Sequence, residues 1–209
     1  MSDAQIYLYI VTSLVIILTP GQDLVLVLSR GITLGSKGGV VTAAGVSAGL
    51  VGHTILTSVG LGALLMASDL IFSIIKYIGA AYLIYLGFKL LTSKDQKLEL
   101  HNSGRIVSSK DLFTSGALSN ISNPKVTIFY FAYLPQFIST DVSNPTTYLF
   151  TLGITFALLT LIVKVPIGYL AGKFSKFLRQ RPTVLKWLDR TSGTILVALG
   201  IKLALEQKT

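Results

Sequence analysis

Six long apolar runs, at about 5–33, 38–66, 68–92, 111–138, 146–172 and 184–206, fill most of the chain. Each can cross a bilayer as a helix, for which about 20 residues suffice. In lipid every backbone polar group must find an internal partner, so only helices or a closed barrel can span. Runs of this length without strict alternation read as helices. The 209 residues are 51% hydrophobic and only 13% charged, and mean hydropathy is +0.68. So few charges could not cover a soluble enzyme. The same composition excludes a disordered chain, a coiled coil and a collagen-like fibre. The sequence predicts an all-α membrane protein of six transmembrane helices in one integral membrane domain.

The net charge is +9. Because the basic residues cluster between apolar runs, they report topology and not a nucleic-acid partner. The connection between helices one and two holds Arg30 and Lys37. That between three and four holds Lys94, Lys97, Arg105 and Lys110. That between five and six holds Lys173, Lys176, Arg179, Arg181, Lys186 and Arg190. The N-terminus and the loop 138–147 hold none. These connections are therefore expected in the cytoplasm, with both termini periplasmic. No positive segment precedes the first run, so it reads as a retained span and not a signal peptide. There is no Cys, which excludes disulfides and thiolate metal sites. No metal or other cofactor is expected.

The halves echo each other. Leu83-x-x-Leu86-Gly87-Phe88-Lys89-Leu90 matches Leu196-x-x-Leu199-Gly200-Ile201-Lys202-Leu203. Helix one is interrupted at Thr19-Pro20-Gly21, and helix four at Asn123-Pro124-Lys125. Residues 1–92 and 111–209 are read as three-helix repeats, joined by a polar cytoplasmic linker at 93–110. An odd number of spans per repeat makes the two insert with opposite orientation. Paired, Pro-interrupted helices in such repeats are the signature of a secondary transporter.

A proline inside a helix removes one hydrogen bond and clashes with the preceding turn. In a membrane such a break is tolerated where it is buried or lines a wet cavity. Thr19, Gly21, Gln22 and Asp23 flank Pro20, and Asn120, Ser122, Asn123 and Lys125 flank Pro124. Free N–H groups after Pro20 suit a carboxylate, and freed carbonyls before each break suit an ammonium, so a zwitterion matches both. The plainer reading is a pair of kinks whose polar groups are satisfied locally. A charge at the bilayer centre costs at least about 2.5–3.5 kcal/mol. Asp23 and Lys125 hold equivalent places in the halves and are expected to face each other, directly or through substrate; either would carry a coupling proton. The alternative is an ion pair that only neutralises two buried charges. Lys164 precedes Pro166 in helix five; placed near a helix end, it would snorkel. His53 ends the row Gly45-x-x-x-Gly49-x-x-x-His53, which lets helices approach closely. It is a candidate proton relay, against the commoner role of a hydrogen-bonded helical histidine.

Gly45-Val46-Ser47-Ala48-Gly49 fits G-x-S-x-G but lies inside a span, where the strand–turn–helix context is missing. No second mid-span Asp accompanies Asp23, so an intramembrane aspartyl protease is declined. The run Phe129-Tyr130-Phe131-x-Tyr133, with Tyr77, Tyr82 and Tyr85, suits packing and interface anchoring better than a pocket wall.

Thr19-Pro20-Gly21-Gln22-Asp23, followed by Leu28-Ser29-Arg30-Gly31, resembles the first-helix signature of the LysE/RhtB family of amino-acid exporters. Gly79-Ala80-Ala81-Tyr82-Leu83-Ile84-Tyr85-Leu86-Gly87 is similar to its third-helix signature. Phe113-x-x-Gly116-x-Leu118-x-Asn120-x-x-Asn123-Pro124-Lys125, continuing to Leu134-Pro135-Gln136-Phe137, is similar to its fourth. The family's Pro-Gly-Pro-Asn/Asp reads Pro20-Gly21-Gln22-Asp23 here, a departure that softens the break. The resemblance implies secondary export of small amino acids or derivatives across a bacterial inner membrane, driven by an ion gradient. A single clear carboxylate, Asp23, favours neutral zwitterions over dibasic substrates.

The sequence thus points to a proton-coupled amino-acid exporter working by alternating access, and not to an enzyme. Its expected substrate residues are Gly21, Gln22, Asp23, Asn120, Asn123 and Lys125. Asp23, Lys125 and His53 are the proton-coupling candidates, with Pro20 and Pro124 as the helix breaks. The expected partners are the amino acid, protons and the bilayer. Small bundles of this kind often pair, so a homodimer is allowed, although no single motif marks an interface. The rival reading is a passive channel or lipid-handling protein on the same repeat.

Overall fold

A computed structural model describes residues 3–67, 69–92, 107–138, 144–176 and 182–205. The helices are α1 (Asp3–Leu18), α2 (Gln22–Ala67), α3 (Asp69–Leu91), α4 (Ser109–Ile121), α5 (Pro124–Ile128), α6 (Pro145–Lys173) and α7 (Pro182–Leu205). A π-helical turn, Phe129–Tyr133, and a 3-10 turn, Leu134–Phe137, continue α5. No strand occurs among the described residues.

Both expected breaks are present. Thr19 closes α1, its N–H and hydroxyl both donating to the Val15 carbonyl at 2.8 and 2.7 Å. Pro20 has no N–H to continue the ladder, and α2 starts at Gln22. α4 ends at Ile121, and Asn123 caps α5 by accepting the Lys125 N–H at 3.1 Å, with Pro124 in the first helical turn. Pro suits that position, where its missing N–H would go unpaired in any case. Before α4, Ser108 and Asp111 form a reciprocal capping box. The polar stretch 93–106 and Ser68, which as a short polar residue before the third run is expected to cap it, lie outside the described residues.

One boundary is corrected. The second run, expected to start as a helix at about 38 with Gly38-Gly39 as its turn, does not begin there: those residues are helical, and the interruption is Gly35, at φ 79°. Only glycine takes that conformation without strain. Before Gly35, contacts climb α6, from Asp23 against Lys164 to Gly31 against Gly168 and Ala171. After it they descend, from Gly39 against Gly168 to Thr54 against Gly153. The chain therefore reverses at Gly35. Gly39 and Gly168 serve close packing instead, because a Cβ on either would collide with the other's backbone.

The expected row Gly45, Gly49, His53 faces α4. Gly45 lies against Phe113, Gly49 against Ala117 and Asn120, and Gly116 against Thr42. α3 packs antiparallel on α7, Gly87 against Gly193 and Gly200 against Ala80. Tyr9, Phe129, Tyr130, Tyr133, Phe137 and Phe156 join the main apolar core.

Polarity is arranged inside out. Asp23, His53, Asn120, Asn123, Lys125 and Lys164 are buried. Tyr7, Leu56, Val59, Leu70, Ile78, Leu118, Ile162 and Leu205, spread over six helices, are more than 60% exposed. Water would not tolerate so continuous an apolar exterior, whereas acyl chains match it. α6 and the stretch Gln22–Gly60 of α2 are each long and apolar enough to span a membrane.

Candidate functional site

The two breaks meet. Pro20, Gly21 and Gln22 from the first, with Asn123, Pro124 and Lys125 from the second, line one cleft of about 390 Å³. Its other wall is a stripe of α3, Tyr82, Tyr85, Leu86, Lys89 and Leu90, with Leu196 of α7. A Cβ on Gly21 would stand 3.3 Å from the Lys125 ammonium, so the breaks touch.

Behind the cleft is a small void of about 10 Å³, whose lining includes Asp23, Asn120, Lys125, Thr160 and Lys164. That is about the room one water needs. Lys125 borders both spaces. Its ammonium donates to the carbonyls of Thr19 at 2.9 Å and Ile16 at 3.2 Å. The freed carbonyls of the first break thus receive an ammonium of the protein's own. The dipole adds to the attraction, since a helix C-terminus favours a cation.

Asp23 does not pair directly with Lys125 as its ionic partner. Its Oδ2 accepts from Asn120 Nδ2 at 2.7 Å and from the Lys164 ammonium at 3.4 Å. Lys164 therefore does not snorkel; its side chain is 5% exposed. Sequence contained a signal for this. Lys164 is nine residues from the end of α6 at Lys173, about 13 Å along the axis, which is too deep for an easy exit. Asp23 Oδ1, Asn120 Oδ1 and Asn123 Nδ2 are buried with no hydrogen-bond partner. Buried polar atoms are seldom left so; the Asn123 amide stands beside the Asp23 carboxylate, and the void next to Asp23 and Asn120 is of the size of one water.

His53 lines neither space. Its Nε2 lies 3.2 Å from the Asn120 carbonyl, and its ring stacks on Tyr130 at 5.5 Å. Tyr130 donates to the Gly153 carbonyl at 3.1 Å and meets Thr54 Oγ1 at 3.1 Å. Tyr9 donates to the neighbouring Leu152 carbonyl at 2.6 Å. The aromatic run is therefore core packing, while Tyr82 and Tyr85 are pocket-lining. Sequence reasoning missed that use of α3, although the spacing Tyr82, Tyr85, Leu86, Lys89 marks one helix face. Ser47 donates to the Ala43 carbonyl within α2 at 3.1 Å, so the G-x-S-x-G match has no elbow. No group of three metal-ligating side chains occurs among the described residues.

The LysE type translocator pattern matches residues 14–207, nearly the whole chain. The chain belongs to that family. This LysE-type translocator is accordingly a membrane transport protein and not an enzyme. It is 32% identical over 198 residues to the homoserine/homoserine lactone efflux protein of Salmonella typhimurium (strain LT2), covering 95% of each chain. It is 28% identical over 196 residues to the leucine efflux protein of Enterobacter sp. (strain 638), covering 94% of this chain and 93% of the relative. The membrane protein YrhP of Bacillus subtilis (strain 168) is 31% identical over 205 residues, with 94% and 97% covered. No solved structure gives a significant match.

Proposed function

We propose that this LysE-type translocator exports small neutral amino acids or their derivatives across the bacterial inner membrane, coupled to proton influx, by alternating access. The observation that carries the reading is the meeting of the two proline breaks on one cleft, backed by a buried cluster of Asp23, Asn120, Lys125 and Lys164. The efflux relatives supply the substrate class. In this reading the substrate's ammonium is drawn toward the carboxylate of Asp23 and the carbonyls before the first break. Its carboxylate takes the remaining N–H of Lys125, the amide of Asn123 and the backbone around Gly21 and Gln22. A proton reaching Asp23 removes the charge that holds Lys164, which links ion binding to a change of packing.

Six spans in two inverted repeats, 1–92 and 111–209 about the linker 93–110, complete the proposal. Antiparallel packing of α3 on α7, and of α6 on the later part of α2, supports it, because an inversion makes equivalent helices run oppositely. With both termini periplasmic, the α3 end at Lys89 faces the cytoplasm and the cleft opens there. The aromatic cluster of Tyr9, Tyr130, Phe137 and Phe156 closes the other side.

The test is efflux of labelled leucine and homoserine from proteoliposomes with an imposed pH gradient. Asp23→Asn is expected to lose the response to the gradient and Lys125→Ala to lose efflux. Full efflux with intact pH coupling in both variants overturns the assignment.

A further inference from the structure

Among the described residues, the cleft wall carries two ammonium groups, Lys89 and Lys125, and no carboxylate. Lys125 already gives two hydrogen bonds to Ile16 and Thr19. Lys89 is exposed at the last turn of α3, on the same face as Tyr82 and Tyr85, whose rings stand 6.0 Å apart. Across the cleft, Asn123 lines the wall, its side-chain amide beside the Asp23 carboxylate. A cleft with cations on two walls and no acid among its described lining residues suits one ligand group, a carboxylate. We infer that Lys89 is a specificity-determining residue: it anchors the free carboxylate of the amino acid in the cleft and discriminates against lactones, amides and esters.

The inference rests on the proposed transport reading and deepens it. The repeat supplies a comparator. Lys202 matches Lys89 in the echoed motif and is exposed, but the cleft is not lined by it. Its neighbours Leu199 and Leu203, with Leu83, are in the packed core, whereas Leu86 and Leu90 line open space. A lysine that only snorkelled to headgroups would not distinguish ligands by their carboxylate.

The experiment is binding to the detergent-purified full chain by calorimetry, with L-leucine and L-homoserine as carboxylate probes and L-leucinamide and homoserine lactone as probes without one. Lys89→Gln is expected to weaken the carboxylate probes roughly tenfold or more, the scale of one charge-assisted contact. Leucinamide and lactone should bind Lys89→Gln as they bind the wild type, which also reports that the variant is folded. Lys89→Arg should retain most carboxylate affinity, and Lys202→Gln should change nothing. Unaltered leucine and homoserine binding in Lys89→Gln overturns the inference and leaves the transport reading standing. A wild type that prefers the lactone to homoserine overturns it too. A wild type that binds and exports none of the four probes overturns both.

Discussion

Asp23 is held by an amide and an ammonium, both delivered from other helices. Removing one member of a buried pair strands the other charge, which costs about 3–5 kcal/mol. Lys164→Met should therefore lower the thermal midpoint of the purified protein sharply. Adding Asp23→Asn should recover much of that stability without restoring efflux. Equal midpoints for the single and double variants would show that the two side chains are not coupled. Lys125→Met leaves the Thr19 and Ile16 carbonyls without their donor and should cost about 1–3 kcal/mol, read in the same melt. Asp23 and Lys125 were legible because each follows a proline in an apolar run. The pairing with Lys164 was not. Helical spacing tells which face a residue occupies, but not which of several apolar helices that face meets.

Among the elements, the contact of α2 with α6 depends on missing side chains. A Cβ at Gly168 would press on the backbone of Gly39. Gly168→Val should destabilise by about 1–3 kcal/mol, the usual cost of overpacking. Gly60→Ala should be neutral or slightly stabilising, since nothing stands within 4 Å of a Cβ there and alanine favours a helix. Thermal melts of the two variants side by side check the contrast. The starts of α6 and α7 and the two breaks were readable within a few residues, because proline and capping residues mark them locally. The reversal between the first two spans was misplaced by three or four residues. Gly35, Gly38 and Gly39 look alike in sequence, and only packing shows that the first bends the chain while Gly39 admits a neighbour.

Seen whole, the protein has a cleft on one side of the paired breaks and, on the other, the aromatic cluster that is the seal of the proposed cycle. Tyr9 and Tyr130 fasten that seal to adjacent carbonyls of α6. Tyr9→Phe combined with Tyr130→Phe should loosen it. Because the chain has no Cys, Thr160→Cys at the small void gives a single reporter in an otherwise unaltered protein. In the proposed orientation, its labelling by a membrane-impermeant thiol reagent from the periplasmic side should accelerate several-fold in the tyrosine double variant. An unchanged rate would show that the hydroxyls do not hold that side shut. The membrane character and helical class of the molecule were plain from six apolar runs. The location of the cleft was not, because it depends on how α3 lies against the breaks.

The buried cluster contains two ammonium groups and one carboxylate. With all three ionised, the cluster bears one uncompensated positive charge, and a bound zwitterion, neutral itself, leaves that charge unchanged; in the proposed cycle, a proton on Asp23 adds a second. In an electric field each elementary charge is worth about 2.3 kcal/mol per 100 mV. An inside-negative voltage therefore draws the proton-loaded return toward the cytoplasm more strongly than it holds back the substrate-loaded stroke. In the proposed cycle the membrane's electrical polarisation thus helps reset the carrier after each discharge.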